Sequence, residues 1–196
     1  MNLPTVLVNA RIPRLAFATV STDDGAAAEQ ALPHLHQLGH RRIGMLMGPA
    51  DHIPSQRKLA AARALLERLG TPLSDEMIVN GLYSLESGQA GGSRLFGNGA
   101  TAVVCASDPL ALGAVRAARR AGLRVPQDVS VVGFDDSALM SLHRAASDDG
   151  PPADRGDGPD GHRALLSQIA GTAAGGDELL FEPELVLRGS TGPVAA

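Results

Sequence analysis

Cysteine is nearly absent: Cys105 stands alone in 196 residues, so no disulfide can form within the chain. Aromatic residues are scarce, with four Phe, one Tyr and no Trp. Lysine is scarcer still, Lys58 being the single one among 17 basic residues. Basic charge is not in excess either. A net charge of −4 argues against gripping nucleic acid by bulk electrostatics. No run approaches the roughly 18 apolar residues of a membrane span. The first fourteen residues lack a basic start followed by an apolar stretch, which reads as no signal peptide and predicts a cytoplasmic location.

What is present is enough for a core. Apolar residues make up 44% of the chain, which argues against wholesale disorder. Short apolar runs alternate with helical segments. Strands are expected at 5–9, 43–47, 77–79, 101–106, 129–134 and 184–188. Helices are expected at 24–38, 55–69, 85–96 and 108–121, with part of another at 163–170. Asp23 or Asp24 can cap the first helix, and Gly39 stops it. The helix at 85–96 is weakened by Gly88, Gly91 and Gly92. Continuous apolar strands separated by helices predict a parallel sheet covered on both faces, wound as an open doubly wound α/β fold. Residues 147–161 break the pattern, because twelve of the fifteen are Asp, Gly or Pro and cannot bury a face.

Catalytic and metal motifs are missing. There is no GxxxxGK[ST], no strand followed by GxGxxG, and no GxSxG elbow. His36 and His40 are four apart, but no carboxylate or cysteine completes a ligand set, so His34, His36 and His40 read as surface histidines. Asp154, Asp157 and Asp160 lack calcium-loop spacing. Cys105 reads as a small core residue. In a doubly wound sheet, ligands bind beyond the carboxyl ends of the strands. The polar residues there are Ser107-Asp108 and Asp135-Asp136, and 48–57 follow another strand. Asp135 and Asp136 fit acid–base chemistry or, equally, a sugar-hydroxyl acceptor beside a capping residue. Arg57 fits a structural role or a grip on sugar hydroxyls. Tyr83, the only tyrosine, fits a half-buried surface aromatic.

Several words, in order, carry a resemblance. They are Pro4-Thr5-Val6-Leu7-Val8-Asn9, Leu38-Gly39-His40-Arg41-Arg42-Ile43-Gly44, and Gly48-Pro49 followed by Arg57. Ala102-Val103-Val104-Cys105-Ala106-Ser107-Asp108 and Val125-Pro126 follow, then Asp128-Val129-Ser130-Val131-Val132-Gly133-Phe134-Asp135-Asp136 and Pro183-Glu184-Leu185-Val186. The chain resembles the effector-binding domain of the LacI/GalR family of bacterial transcription regulators. The resemblance implies a type I periplasmic-binding-protein fold, two Rossmann-like lobes around a ligand cleft. It implies a repressor that forms a homodimer, senses a small molecule (often a sugar), needs no cofactor, metal or membrane, and reads operator DNA through a helix-turn-helix domain missing from this chain. It assigns Asp24, Arg57, Tyr83, Ser107, Asp108 and Asp135 to the effector site, with Ser107 in place of a common Asn. A stand-alone sugar-binding protein of a transporter would share the fold but calls for a signal peptide. An enzyme using Asp135 or Asp136 lacks a nucleophile–base set.

The domain layout expected from the resemblance is a first-lobe remnant at 1–39, a nearly complete second lobe at 40–143 and an irregular segment at 144–162. A first-lobe helix at 163–177 and a second-lobe strand and tail at 178–196 complete it. Residues 144–162 depart from the family pattern. Asp148-Asp149-Gly150-Pro151-Pro152 can be encoded so that the frame one base later reads Thr-Thr-Val-Arg, the family's word at this place, which points to a frameshift. With the first lobe a remnant, weak or absent effector binding by the chain alone is expected.

Overall fold

The computed structural model describes residues 5–9, 17–135 and 178–195. Packing divides the chain into two units, Met1–Asp23 with Asp148–Pro183, and Asp24–Ser147 with Glu184–Ala196. The expected irregular segment 144–162 and the helix at 163–177 lie outside the described residues.

The first unit holds a parallel three-stranded sheet in the order β1 (Val6–Val8), β2 (Ala18–Thr22), β7 (Glu178–Phe181). Strand β2 has no counterpart in the sequence-based expectation. Its buried residues include Thr19 and Ser21, so no apolar run announces it. The last strand was expected at 184–188, and the structure corrects this. Strand β7 is at Glu178–Phe181, in register with β2, whereas 184–188 carry no regular structure and Leu185 donates its amide to Gln30 Oε1 at 2.8 Å. The strand in the 178–196 stretch therefore joins the first sheet, and only the tail belongs with the second unit.

The second unit is built on a four-stranded parallel sheet in the order β4 (Ile78–Asn80), β3 (Ile43–Met47), β5 (Ala102–Cys105), β6 (Ser130–Val132). Every residue of β3, β5 and β6 is buried, which explains their continuous apolar runs. Right-handed crossovers place helix α2 (Ile53–Arg68) on one face and helices α3 (Leu85–Gly97) and α4 (Asp108–Arg120) on the other. Helix α1 (Asp24–Gln37) packs along α2, so the boundary between units falls before Asp24 and not after residue 39. Leu32, Leu35, Leu46, Leu66, Val103 and Leu110 fill the core.

Local sequence explains the helix ends. Gly39, at φ +94°, takes the left-handed conformation that terminates α1. Ser84 caps α3 through its Oγ, which accepts the Ser87 amide at 3.2 Å. The glycines that weaken α3 in isolation have a packing reason. A Cβ on Gly88 would lie 2.4 Å from the Leu110 carbonyl oxygen, and one on Gly113 would lie 2.3 Å from that of Leu85. Glycine facing glycine lets α3 and α4 approach backbone to backbone.

The amino ends of the strands are stapled by His40. It is 1% exposed, which corrects the expectation of a surface histidine. Its Nδ1 meets Thr101 Oγ1, and its Nε2 meets Ser130 Oγ and the Gly192 carbonyl, each at 3.0 Å. The tail follows β6, with the Val131 amide bonded to Ser190 O at 2.9 Å. Burial holds the His40 pKa below its ordinary value, against the raising effect of the Gly192 carbonyl.

Candidate functional site

The strand order creates a crevice. From β3 the chain crosses outward to β4 on one face, and from β5 it crosses the other way to β6 on the other face. The loops after the adjacent β3 and β5 therefore diverge, and this switch point is where open α/β sheets hold ligands. The residues there all belong to the second unit.

After β5, Ser107 precedes α4 and Asp108 opens it, with Pro109 in the first turn. Both are buried. Ser107 is 5% exposed, and its Oγ has no hydrogen-bond partner among the described residues. A buried hydroxyl without a partner is costly and uncommon, so it marks a place where a polar ligand atom would be welcome.

After β6, the chain turns through Phe134 and Asp135. Asp135 has φ +95°, a left-handed backbone that costs a non-glycine residue about 1 kcal/mol or more. It is exposed. Packing nevertheless strips enough water from its carboxyl group to hold its pKa above the ordinary carboxylate range. The Asp108 charge adds to this, the Lys58 charge opposes it, and Asp24 adds again.

Asp24, the first residue of α1, is buried and ion-paired with the ammonium of Lys58 on α2. The same ammonium lies 3.6 Å from the centre of the Phe134 ring. Arg57, the residue before Lys58, is half-buried near the start of α2. Lys58 thus pairs with Asp24, and Asp135 lies within electrostatic reach of Asp108, Lys58 and Asp24.

Tyr83 belongs to a second cluster, at the ends of β3 and β4. Its ring covers Gly48, where a Cβ would fall 2.1 Å from Cζ. Its hydroxyl lies 3.2 Å from Ser55 Oγ, and its ring is tilted 34° to that of His52 at 5.8 Å between centroids. Asn80 Nδ2 donates to the Gly48 carbonyl at 2.8 Å and fixes the same turn. Tyr83 is thereby a braced aromatic at the rim.

Lys58 and Phe134 were not among the residues singled out from sequence. The signal for Lys58 was its being the one lysine beside 16 arginines. Asp136 lies outside the described residues. Cys105 sits inside β5, where burial pushes its thiol pKa well up. Among the described residues no group of three His, Cys, Asp or Glu side chains could hold a metal ion, and no helix is long and apolar enough to cross a membrane. Chemically, the cluster offers carboxylate acceptors and a hydroxyl in a partly dehydrated crevice, suited to ligand hydroxyl groups.

Comparison with known proteins agrees with this architecture. A family model described as "periplasmic binding protein-like domain" matches residues 32–191. The HTH-type transcriptional regulator MalR of Streptomyces coelicolor is 45% identical over 193 residues, which are 96% of this chain and 56% of that protein. The HTH-type transcriptional repressor CytR of Escherichia coli K12 is 33% identical over 198 residues, again 96% of this chain and 56% of the other. The solved complex of the transcriptional regulator CelR with cellobiose superposes with a TM-score of 0.79 at 28% identity, covering 94% of this chain and 58% of that one. The chain thus spans 56% of the length of these two curated relatives.

Proposed function

The chain belongs to the periplasmic binding protein-like domain family, the kind of domain that LacI-family regulators carry, and from that premise we propose that it is the small-molecule-sensing part of a LacI/GalR-type transcription regulator. The expected sense is repression, which the likeness to CytR supports. The expected effector is a sugar, which the likeness to the cellobiose complex of CelR supports. Operator contact falls to a separate helix-turn-helix domain, in keeping with the acidic charge of these residues. The working form is a cytoplasmic homodimer.

One observation carries the reading most strongly. The switch point of the four-stranded sheet gathers Ser107, Asp108 and Asp135, and the Ser107 hydroxyl has no hydrogen-bond partner among the described residues. In this reading Asp108 and Asp135 accept sugar hydroxyl protons, and Ser107 Oγ pairs with one of the same hydroxyls. Arg57 supplies a planar fork of donors. Tyr83 supplies a flat apolar face for a sugar ring. Asp24 contributes from the start of α1. The sugar acts by binding one conformation of the regulator better than another, and the difference in affinity sets the shift in DNA binding.

The test is a titration of the isotopically labelled chain with cellobiose and a panel of other mono- and disaccharides, followed by NMR. Weak, saturable shifts confined to Ser107, Asp108 and Asp135 and their neighbours are expected for at least one sugar. A saturable sugar response whose shifts map away from Ser107, Asp108 and Asp135 would overturn the proposal.

A further inference from the structure

Lys58 is placed where a lysine is expensive. It is 4% exposed, and its partner Asp24 is equally buried. A buried ammonium persists only when its charge is met on several sides. Here the Asp24 carboxylate meets one side, and the Phe134 ring lies 3.6 Å away. These partners come from different parts of the second unit: the first residue of α1 and the turn after β6. A compact ammonium fits between a carboxylate and a ring. The wide planar guanidinium that this chain uses at its 16 other basic positions has a different shape and a different bonding geometry.

We propose that Lys58 is a positioning residue of the sensing edge: its ammonium pins the start of α1 and the Phe134 ring, and through Phe134 it fixes the adjoining carboxylate of Asp135. The proposal rests on the reading of this edge as the effector's. Asp135 occupies a strained left-handed backbone conformation, and a neighbour clamped from the core side is what such a residue needs to hold one orientation. Lys58 also has an electrostatic part. The charges felt by Asp135 are Asp108 from α4, Asp24 from α1 and Lys58 from α2, and Lys58 is the one among them that favours the ionised form. An ionised carboxylate accepts ligand hydroxyl protons more strongly than a protonated one.

The experiment uses the whole chain with labelled aspartate carboxyl groups. In the wild type, the terminal methylene protons of Lys58 are expected upfield of their ordinary position, shielded by the Phe134 ring. In Lys58→Met, Asp135 is expected to titrate at higher pH than in the wild type, with altered amide signals at Phe134 and Asp135. Lys58→Met leaves the Asp24 carboxylate buried without its cation, so the double variant Asp24→Asn/Lys58→Met serves where the single one fails to fold. It removes the opposing Asp24 charge as well, so in the double variant the altered amide signals at Phe134 and Asp135 carry the test. A Lys58 methylene at its ordinary position, an unmoved Asp135 titration in a folded Lys58→Met chain, or unchanged Phe134 and Asp135 amide signals in the folded double variant overturns the proposal. Movement of Asp135 together with saccharide shifts that map away from this edge upholds the clamp and refutes the effector reading. A saccharide response with Asp135 unmoved does the reverse.

Discussion

Replacing Gly113 by alanine sets two effects of opposite sign against each other. Gly113 lies inside α4, and alanine in a helix interior is worth about 1 kcal/mol over glycine. Against that, the new Cβ would sit 2.3 Å from Leu85 O, 2.5 Å from Gln89 N and 2.6 Å from the Gly88 carbonyl carbon. All three are backbone atoms of α3 or its immediate start, so no side-chain rotation relieves the contact and the helices must part. Overpacking of this kind costs about 1–3 kcal/mol, and the backbone character of the clash places it toward the upper end. The net expectation is a loss of about 1–2 kcal/mol. Gly97 is the control: it ends α3, and a Cβ there meets nothing within 4 Å. Gly97→Ala is expected to gain up to about 0.5–1 kcal/mol. For a chain of this length, each kcal/mol is worth about 2–4 °C, so the two variants should melt about 3–12 °C apart. Thermal unfolding followed by far-ultraviolet circular dichroism measures this directly. A Gly113→Ala chain as stable as the wild type would refute the backbone-to-backbone packing of α3 and α4.

Burial holds the native pKa of His40 below its ordinary value of 6.5, so the unfolded chain takes up the proton first as pH falls. Stability should therefore decline as pH drops through about 6.5 toward the lower native pKa, and His40→Gln should flatten part of that slope in denaturant titrations at stepped pH. Cys105 is buried with its thiol pKa pushed up, so a thiol reagent should leave the folded chain unmodified at mildly alkaline pH and label it fully in denaturant. Rapid labelling of the folded chain would contradict the placement of β5 in the core.

The sequence announces the second unit's sheet because burial on both faces leaves continuous apolar runs. Ile43–Met47 was expected as a strand and forms one with the same bounds. Burial of polar residues is less legible. Strand β2 hides Thr19 and Ser21, and His40 looks like a surface histidine until Thr101, Ser130 and Gly192 are seen around it. The apolar residues at 185–187 and those at 179–181 present equal claims to a strand, and the pairing with β2, not composition, decides between them. Glycine is ambiguous for a similar reason. Gly88 reads as a weakness of α3 until Gly113 appears opposite it. At the crevice, Ser107, Asp108 and Asp135 were legible as residues following strands, and Asp24 only through the resemblance. Lys58 was not, because its partners are separated from it by 34 and 76 residues and only the fold brings them together.

The most direct measurement compares saccharide binding by the wild type and by Asp135→Asn, using the same NMR titration for both. Asp135 is exposed, so its replacement leaves the core intact. A sugar that shifts the Ser107–Asp108 signals in the wild type, with affinity falling at least tenfold in Asp135→Asn, is the expected result. The tenfold loss corresponds to about 1.4 kcal/mol, the scale of one charge-assisted hydrogen bond. Equal affinity in the two chains, or a sugar response mapped away from the carboxyl ends of β5 and β6, would contradict a sensing site at this edge.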